Sequence, residues 1–317
     1  MNKQKKHTAF EGYLLSLGRS SRTIEAYQWS VEKFEEWLKM DGTRMDEVNS
    51  SVVVSYLSYL QKQGVSNSTR NLRMMALNQY FNHQIKKGER SDHPTKHLKI
   101  KGLAKNKLYS VLSSEQLDSL YHGYTVPLED DPNSKYNWFR PNYLGRRRNK
   151  AILGLMIYQG LTTAEITHLQ LSDIRLRQGV VFVKAGVKGA DRTLELKSWQ
   201  VMDLMEYQLQ IRPEIMSHHQ QATRIYFLSM PSGMDTKVTS YNLYIWQFIK
   251  NDLRKVQPSF SNFQQLRASV IVHWLSQYNI RVVQQMAGHS SVASTERYLA
   301  YKVEDLQEDI DKFHPMG

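Results

Sequence analysis

Cysteine is absent from the 317-residue sequence, which excludes disulfide bonds and thiolate metal sites. A chain without cysteine suits a reducing compartment, and we expect a cytoplasmic protein. Long hydrophobic runs are absent as well, since no apolar stretch approaches the roughly 18–20 residues that span a bilayer. The basic N-terminus, MNKQKKHTAF, is not followed by the apolar segment of a secretory signal. We therefore expect neither secretion nor a membrane partner.

The signatures of several enzyme classes are also missing. The sequence contains neither G-x-x-x-x-G-K-[ST] nor G-x-G-x-x-G, the glycine-rich loops that bind nucleotide phosphates. It contains no H-E-x-x-H zinc signature and no G-x-S-x-G nucleophile elbow. These absences argue against ATP-driven, zinc-dependent and α/β-hydrolase chemistry. We expect no metal and no cofactor.

Acidic residues are fewer than basic ones: 30 Asp and Glu oppose 42 Lys and Arg, a formal net charge of +12. Such a surplus indicates a polyanionic partner, most often nucleic acid, with an inert basic surface as the alternative. The surplus is local, because residues 1–50 balance eight basic against eight acidic residues, whereas residues 51–107 hold eleven against two. A concentrated basic segment is typical of a surface that follows a phosphate backbone.

Helical spacing of apolar residues dominates the first hundred positions. It predicts helices over residues 23–38 and 51–62, and a third from about 66 to 87. The expected buried stripe of the third helix is Met74, Leu77, Phe81 and Ile85. Polar residues off this stripe, and the lysines that follow, belong to the basic segment, although a solvated face is the alternative. The candidate nucleic-acid contacts are Arg70, Arg73, Asn78, Lys99, Lys101, Lys105 and Lys107.

The length indicates two domains, at roughly 100–200 residues per domain. Residues 93–107 lack periodicity and carry five lysines, so we expect the first domain to end in a basic linker. We assign residues 1–103 to the first domain, 104–110 to the linker and 111–317 to the second domain.

The second domain begins with a polar stretch, 126–148, which we interpret as a surface excursion leading into a strongly apolar core helix near 149–159. Two short strands are predicted at 180–183 and 192–196, with further helices after them. The predicted fold class is therefore mostly α with a small antiparallel β-sheet.

The segment from Gln264 to Tyr301 reads QQLRASVIVHWLSQYNIRVVQQMAGHSSVASTERYLAY. His289 follows Arg267 by 22 residues, and Tyr298 follows His289 by nine. This order resembles the second signature of the tyrosine recombinase (phage integrase) family, in which H-x-x-R, G-H and a tyrosine follow one another. The combination is specific, whereas any one of the 18 tyrosines alone would carry no weight.

The resemblance extends over nearly the whole chain. Gly160-Leu161 with Glu165 resembles the start of the family's G-L-R-x-x-E box, and the predicted hairpin 180–196 resembles its β-hairpin. Residues 305–315 resemble the C-terminus of the bacterial Xer type. The resemblance implies an N-terminal helical core-binding (SAM-like) domain and an α+β tyrosine-recombinase catalytic domain.

A catalytic set is implied in the same way. Tyr298 would be the nucleophile, Arg267 a phosphate clamp and His289 a hydrogen-bond partner of the phosphate. Lys188, at the hairpin turn, would be the general acid for the leaving 5′ oxygen, with Lys184 in reserve. A phenol can attack phosphorus and later leave, and a planar guanidinium binds two oxygens while keeping its charge. The implied function is site-specific cutting and rejoining of DNA through a 3′-phosphotyrosyl intermediate.

Two positions depart from the family pattern. Thr162 stands where the family has the arginine of G-L-R, and Gln264 stands where it has the histidine of H-x-x-R. Thr162 brings no charge, and Gln264 can hydrogen-bond a phosphate oxygen but cannot exchange a proton. Losing one transition-state donor typically lowers the rate by about 10²–10³. We still include both residues in the candidate catalytic set.

Three explanations of these departures stay open. Another arginine fills the space, although a helix separates Arg146, Arg147 and Arg148 from it. Alternatively, the enzyme works slowly or depends on a partner recombinase. In the third explanation the chain is a non-catalytic DNA-binding accessory or regulatory protein on the same fold. We expect an atypical but working recombinase, because a binding module has no need of Tyr298.

Each candidate residue also has a simpler explanation. Tyr298 could be a packing tyrosine, His289 a helix cap, Arg267 part of a surface ion pair, and Lys188 an ordinary turn lysine. Their joint order and spacing favour the catalytic interpretation.

The resemblance also implies partners and a location. The implied partners are double-stranded DNA and further recombinase subunits, in a homo- or hetero-tetrameric synaptic complex. The implied location is the bacterial nucleoid, often in connection with mobile elements. The acidic, amphipathic helix predicted at 303–313 would dock into a neighbouring protomer, or alternatively into its own.

Overall fold

The computed structural model describes residues 3–102, 109–186, 189–217, 227–228 and 238–301, with backbone alone for 3–8 and 238–243. The chain divides into two compact units, 1–107 and 108–317. Most of the predicted linker lies outside the described ranges, so our domain boundaries stay a prediction. No described helix is both long and apolar enough to cross a membrane.

The described part of the first unit contains four helices. These are α1 (Lys3–Ser16), α2 (Ser21–Asp41), α3 (Ser50–Lys62) and α4 (Asn67–Lys86). Short polar side chains start the last three, because their oxygens accept the backbone N–H groups that a first helical turn leaves free. The caps of these three helices are Ser20, Asn49 and Ser66.

The core of this unit follows the predicted apolar stripes. On α2 the apolar residues that recur at helical spacing are all buried: Ile24, Tyr27, Val31, Phe34 and Leu38. On α4, Met74, Leu77 and Phe81 are buried, while Ile85 is half-buried. Burial of these side chains between α2, α3 and α4 supplies most of the unit's stability.

The second unit is mostly helical and holds a three-stranded sheet. Its helices are α5 (Ser114–His122), α6 (Phe139–Tyr158), α7 (Thr163–His168), α8 (Ser198–Glu206), α9 (Arg212–Ser217), α10 (Val238–Val256), α11 (Phe263–Gln277), α12 (Ile280–Ala287) and α13 (Val292–Glu296). A π-helical turn, Tyr207–Ile211, joins α8 to α9. The predicted fold class, mostly α with a small antiparallel sheet, is confirmed.

The sheet is antiparallel, in the order β1 (Ile174–Arg175), β2 (Val180–Val183) and β3 (Arg192–Glu195). Val183 pairs with Arg192 across β2 and β3, so the two strands form the expected hairpin. The two-residue β1 was not predicted. In β3, Arg192 and Leu194 occupy the buried phase, so an arginine side chain enters the interior of the unit.

Helix α6 begins ten residues earlier than predicted, so residues 139–148 are helical rather than part of a surface excursion. Pro141 lies in the first turn, where its missing N–H breaks no helical hydrogen bond. The basic residues of this half have partners on other elements: Arg140 pairs with Glu214, and Arg147 with Glu206. Because these acidic partners are distant in sequence, the polar composition of residues 139–148 was wrongly interpreted as a surface excursion.

The apolar half of α6 is the centre of the second unit's core, and Leu153 there is fully buried. We expect Leu153→Ala to lower the free energy of unfolding by about 2–5 kcal/mol, because the truncation leaves a cavity. Met202→Ala, at a position that is 62% exposed, should change it by less than about 0.5 kcal/mol. Denaturant unfolding measures both, and equal effects would contradict this assignment of the core.

Candidate active site

Arg267 lies in the second turn of α11, where it reaches two other segments. Its Nη1 donates to the carbonyl of Gly160 and its Nη2 to the carbonyl of Ala287. Nη1 also lies 3.7 Å from Oε2 of Glu165. The side chain is only 12% exposed, and this burial lowers its pKa while Glu165 opposes the shift. Arg267 is thus an interior residue that ties α11 to α7 and α12, not part of a surface ion pair.

Glu165 is shared by two arginines. Its Oε1 lies 2.7 Å from Nη2 of Arg192 on β3, while its Oε2 faces Arg267. Burial opposes ionisation of Glu165, but the charges of the two arginines and nearby hydrogen bonds outweigh it, so its pKa lies below the usual range. The carboxylate therefore stays charged and draws both guanidinium groups to one place.

Thr162 forms hydrogen bonds with the same glutamate at the start of α7. It is the N-cap of α7: its hydroxyl accepts the N–H of Glu165 at 3.2 Å and donates to Oε2 of that residue at 2.9 Å. The Thr162 N–H completes this capping box by donating to Oε2 at 2.8 Å. The side chain thus shapes the start of α7.

The basic run before this segment does not replace a missing arginine. Arg146 contacts the Thr125 carbonyl and Asp252, Arg147 pairs with Glu206, and Arg148 contacts Asn149. In the described part of the chain, the second arginine beside Arg267 is instead Arg192.

His289 follows Gly288, which ends α12 in the left-handed conformation at φ 66°. Its Nδ1 lies 2.9 Å from Oγ1 of the buried Thr295 on α13. Burial lowers the pKa of His289 to about 4, and the charges of Arg267, Arg192 and Arg297 act in the same direction. The imidazole is therefore neutral at physiological pH.

Tyr298 stacks on His289, with ring centroids 6.0 Å apart and the ring planes 10° from parallel. It also stacks on Tyr301, with ring centroids 6.0 Å apart. The ring is half-buried beside the apolar residues Ala268 and Val272 of α11. This packing fixes the phenol next to the histidine and near Arg267.

Gln264 lies on the exposed first turn of α11, and its Oε1 accepts a hydrogen bond from the hydroxyl of Tyr109. The N–H of Tyr109 in turn donates to the hydroxyl of Tyr301 at 3.1 Å. The Gln264 amide is thus oriented through its oxygen, which leaves its Nε2 donors for another acceptor. Tyr109 was not a predicted site residue.

The lysine hairpin adjoins His289. Lys188 lies outside the described residues, but its neighbour Gly189 forms a β-bridge with His289. Lys184 is exposed, and its Nζ lies 3.7 Å from Oδ1 of Asp173 and 3.4 Å from Oε1 of Gln170. The assignment of Lys188 as general acid, with Lys184 in reserve, stays a prediction.

The basic candidates of the first unit have different surroundings. Arg70 is only 8% exposed, and its guanidinium contacts Gln61 at 2.9 Å, Asn67 at 2.6 Å and the Leu57 carbonyl at 3.4 Å. Such contacts give it a place in the interior of the unit, between α3 and α4.

Two further candidates on α4 also have partners within the unit. Arg73 lies over the Trp29 ring at 4.9 Å, and Asn78 donates to Thr95 at 3.2 Å. Lys99 and Lys101 are exposed. Lys105 and Lys107 lie outside the described residues.

No metal site is evident within the described ranges, since no group of three His, Asp or Glu side chains there is arranged to hold an ion. The arrangement offers a phenol, a neutral imidazole and two guanidinium groups. Such a set can bind an anionic oxygen and place a nucleophile next to it.

Comparison with protein families agrees with this geometry. Residues 141–304 match the model of the phage integrase family, and residues 8–88 match its N-terminal SAM-like domain. The chain belongs to the phage integrase family. The predicted family and the SAM-like and catalytic domain folds are confirmed.

Relatives and solved structures agree over most of the length. The chain is 27% identical over 305 residues to tyrosine recombinase XerD of Shewanella oneidensis, covering 95% of this chain and 93% of the relative. It is 24% identical to tyrosine recombinase XerA of Thermococcus kodakarensis, covering 96% and 93%.

Among solved structures, XerH site-specific recombinase bound to its difH substrate is similar with a TM-score of 0.62, at 19% identity and over 87% of this chain and 76% of that one. A lambda integrase dimer bound to a core site is similar with a TM-score of 0.60, at 16% identity and over 94% and 95%. At these identities the likeness establishes the fold.

The neutral state of His289 can be tested by following its ring resonances by NMR in histidine-labelled protein, with His289→Gln for assignment. We expect its midpoint to lie near pH 4, because burial and three arginines disfavour the proton. The folded-state pKa lies below the ordinary value of about 6.5. The resulting stability is therefore present above about pH 6.5 and is lost as the pH falls toward 4. A midpoint near 6.5 in the folded protein would contradict the burial of this ring.

Proposed function

We propose that this protein is a site-specific DNA recombinase that cuts and rejoins DNA through a 3′-phosphotyrosyl intermediate on Tyr298. The observation that carries the proposal is the stacking of Tyr298 on His289 at 6.0 Å, within a site that also holds Arg267. These three residues come from separate segments of the C-terminal part of the family match.

The proposed chemistry needs no external energy source. Attack of the Tyr298 phenol oxygen on phosphorus forms the phosphotyrosyl bond and releases a 5′ hydroxyl, and the reverse attack by a 5′ hydroxyl rejoins the strand. The transition state carries negative charge on the non-bridging oxygens. Arg267 would bind those oxygens, and His289, being neutral, would donate a hydrogen bond through Nε2. That charge state makes His289 a hydrogen-bond donor rather than a cation.

The remaining roles complete the proposal. Gln264 would donate its amide N–H to the phosphate, since Tyr109 occupies its oxygen. Lys188 would protonate the leaving 5′ oxygen, with Lys184 in reserve. Thr162 would act through the cap of α7 rather than on phosphate. Without an arginine at position 162, we infer that the activity is slow or depends on a partner recombinase.

The second candidate function is a non-catalytic DNA-binding accessory or regulatory protein. It is favoured by two observations: Thr162 is committed to its capping box, and the Arg267 guanidinium is engaged by two backbone carbonyls. To bind phosphate, Arg267 would have to share or release these contacts.

The partners follow from the same proposal. We infer that the protein binds double-stranded DNA and works in a homo- or hetero-tetrameric synaptic complex, as a lambda integrase tetramer does on a Holliday junction. The predicted helix 303–313 lies outside the described residues, so its docking stays a prediction. A cytoplasmic, nucleoid-associated location also stays a prediction.

Covalent trapping separates the two functions. The probe is a duplex selected from a random pool by binding to the full chain and then nicked, so that cleavage cannot be reversed. We expect wild-type protein to form a denaturant-stable, protease-sensitive DNA adduct, and Tyr298→Phe to form none. Tyr278→Phe, a matched change at an exposed tyrosine, should keep the adduct.

The outcome in which neither wild type nor Tyr298→Phe forms an adduct, with and without a partner recombinase, would exclude the catalytic function. Thr162→Arg is informative in the same assay. An adduct that forms faster in this variant would support the inference that the site lacks a cation at that position.

The exposed and buried basic residues of the first unit should behave differently. Lys99→Gln or Lys101→Gln should weaken DNA binding and reduce the slope of log affinity against log salt by about one each, because each removes one phosphate contact. Arg70→Leu should instead lower the melting temperature, because Gln61 and Asn67 lose their partner. Salt titrations and thermal unfolding measure the two effects. A melting temperature unchanged by Arg70→Leu would contradict its interior role.

A further inference from the structure

We propose that Arg192 is a positioning residue of the recombinase site. Its buried guanidinium fixes Glu165 and the Gly288–His289 turn against Arg267, and adds the second positive charge that position 162 does not supply. The catalytic part of this proposal rests on the proposed function, whereas the arrangement itself does not.

The first observation is the depth of the side chain. Arg192 begins β3 in the inward phase of the strand, and its side chain is 3% exposed. Charged side chains are rarely buried this far without a specific task. Its Nη2 lies at an ion-pair distance of 2.7 Å from Oε1 of Glu165, but neither Nη2 nor Nε has a hydrogen bond of good geometry among the described residues. The ion pair with Glu165 is therefore the contact that holds the group.

The second observation is the contact with Gly288. A Cβ atom built on Gly288 would lie 2.5 Å from Nη1 and 3.0 Å from Cζ of Arg192. The guanidinium therefore lies directly against the backbone of the turn that presents His289. Gly288 also has φ 66°, a left-handed conformation that favours glycine over residues with a side chain. Because Gly288 has no side chain, it can adopt the conformation of the turn and also leave room for the Arg192 guanidinium.

The third observation is that one carboxylate joins the two arginines. Glu165 lies 2.7 Å from Arg192 and 3.7 Å from Arg267, so each guanidinium limits where the other can lie. Two guanidinium groups against one carboxylate leave a surplus positive charge next to His289. The charges that act on that imidazole are Arg192 on β3, Arg267 on α11, Arg297 after α13 and the opposing Glu165 on α7.

The test compares Arg192→Met with Arg192→Lys, and uses Arg212→Met as a matched control. Arg212 lies on α9 and is as buried as Arg192, since the whole-residue exposure is 6% for Arg212 and 5% for Arg192. The first readout is the NMR titration of His289, which needs no DNA. We expect a midpoint near pH 4 in the wild type and in Arg212→Met. The midpoint should rise toward 6.5 in Arg192→Met and stay low in Arg192→Lys, which keeps the charge.

The second readout is the rate of adduct formation on saturating nicked duplex. We expect Arg192→Met to lower this rate on the order of 10-fold to 100-fold, as loss of a supporting residue commonly does, with DNA affinity unchanged. Arg192→Lys should give an intermediate rate, because an ammonium keeps the charge but not the planar fork. A residue that only stabilised the fold would affect melting temperature without moving the His289 midpoint.

A His289 midpoint in Arg192→Met equal to that of the wild type would overturn the proposal, as would an unchanged adduct rate. If the methionine variant does not fold, Arg192→Gln is measured in the same way. A shifted midpoint together with no adduct in the wild type supports the arrangement and excludes the recombinase function. Failure of the Arg192 proposal and failure of the proposed recombinase function are therefore distinguishable.

Discussion

The catalytic unit depends on the Glu165 carboxylate more than on any other group. It attracts Arg267 from α11 and Arg192 from β3, and it closes the cap that starts α7. Removing one partner from a buried ion pair is costly, since the other charge is left uncompensated. Loss of this carboxylate would leave two neighbouring guanidinium groups facing each other. The Glu165 side chain therefore joins α7, α11 and β3, in addition to the hydrogen bonds that Arg267 donates to the Gly160 and Ala287 carbonyls.

Burial, together with the charge surplus of this cluster, explains the neutral state of His289. Burial already disfavours its protonated form, and three nearby arginines disfavour it further. The Nδ1 of this ring faces Thr295, and its other nitrogen, Nε2, is the one that the proposed mechanism assigns to the phosphate. In the proposed mechanism the arginines supply the positive charge that stabilises the phosphate, and His289 supplies an oriented hydrogen bond. Because Tyr298 stacks on the same ring, the proposed nucleophile packs against an imidazole that burial and the arginines keep neutral.

The sequence predicted what is local and missed what is distant. Arg267, His289 and Tyr298 could be recognised because their spacing lies within one segment of 38 residues, from Gln264 to Tyr301. Arg70 was expected to contact nucleic acid, yet partners on α3 and α4 enclose it. The start of α6 was misplaced because its polar half pairs with distant acids. Arg192 was assigned to a strand but not to the site, although its inward phase, shared with Leu194, was a usable signal.

The departure at position 162 has a physical explanation in these contacts. An N-cap requires a short side chain whose oxygen accepts a backbone N–H, and Thr162 accepts that of Glu165. An arginine has no acceptor and could not make this cap. The threonine thus orients the carboxylate that two other arginines share, and β3 brings the second positive charge instead. That charge can approach only because position 288 is glycine, whose missing side chain leaves room for the guanidinium. Thr162, Arg192 and Gly288 therefore form one arrangement, in which a change at any of the three alters what the other two can do.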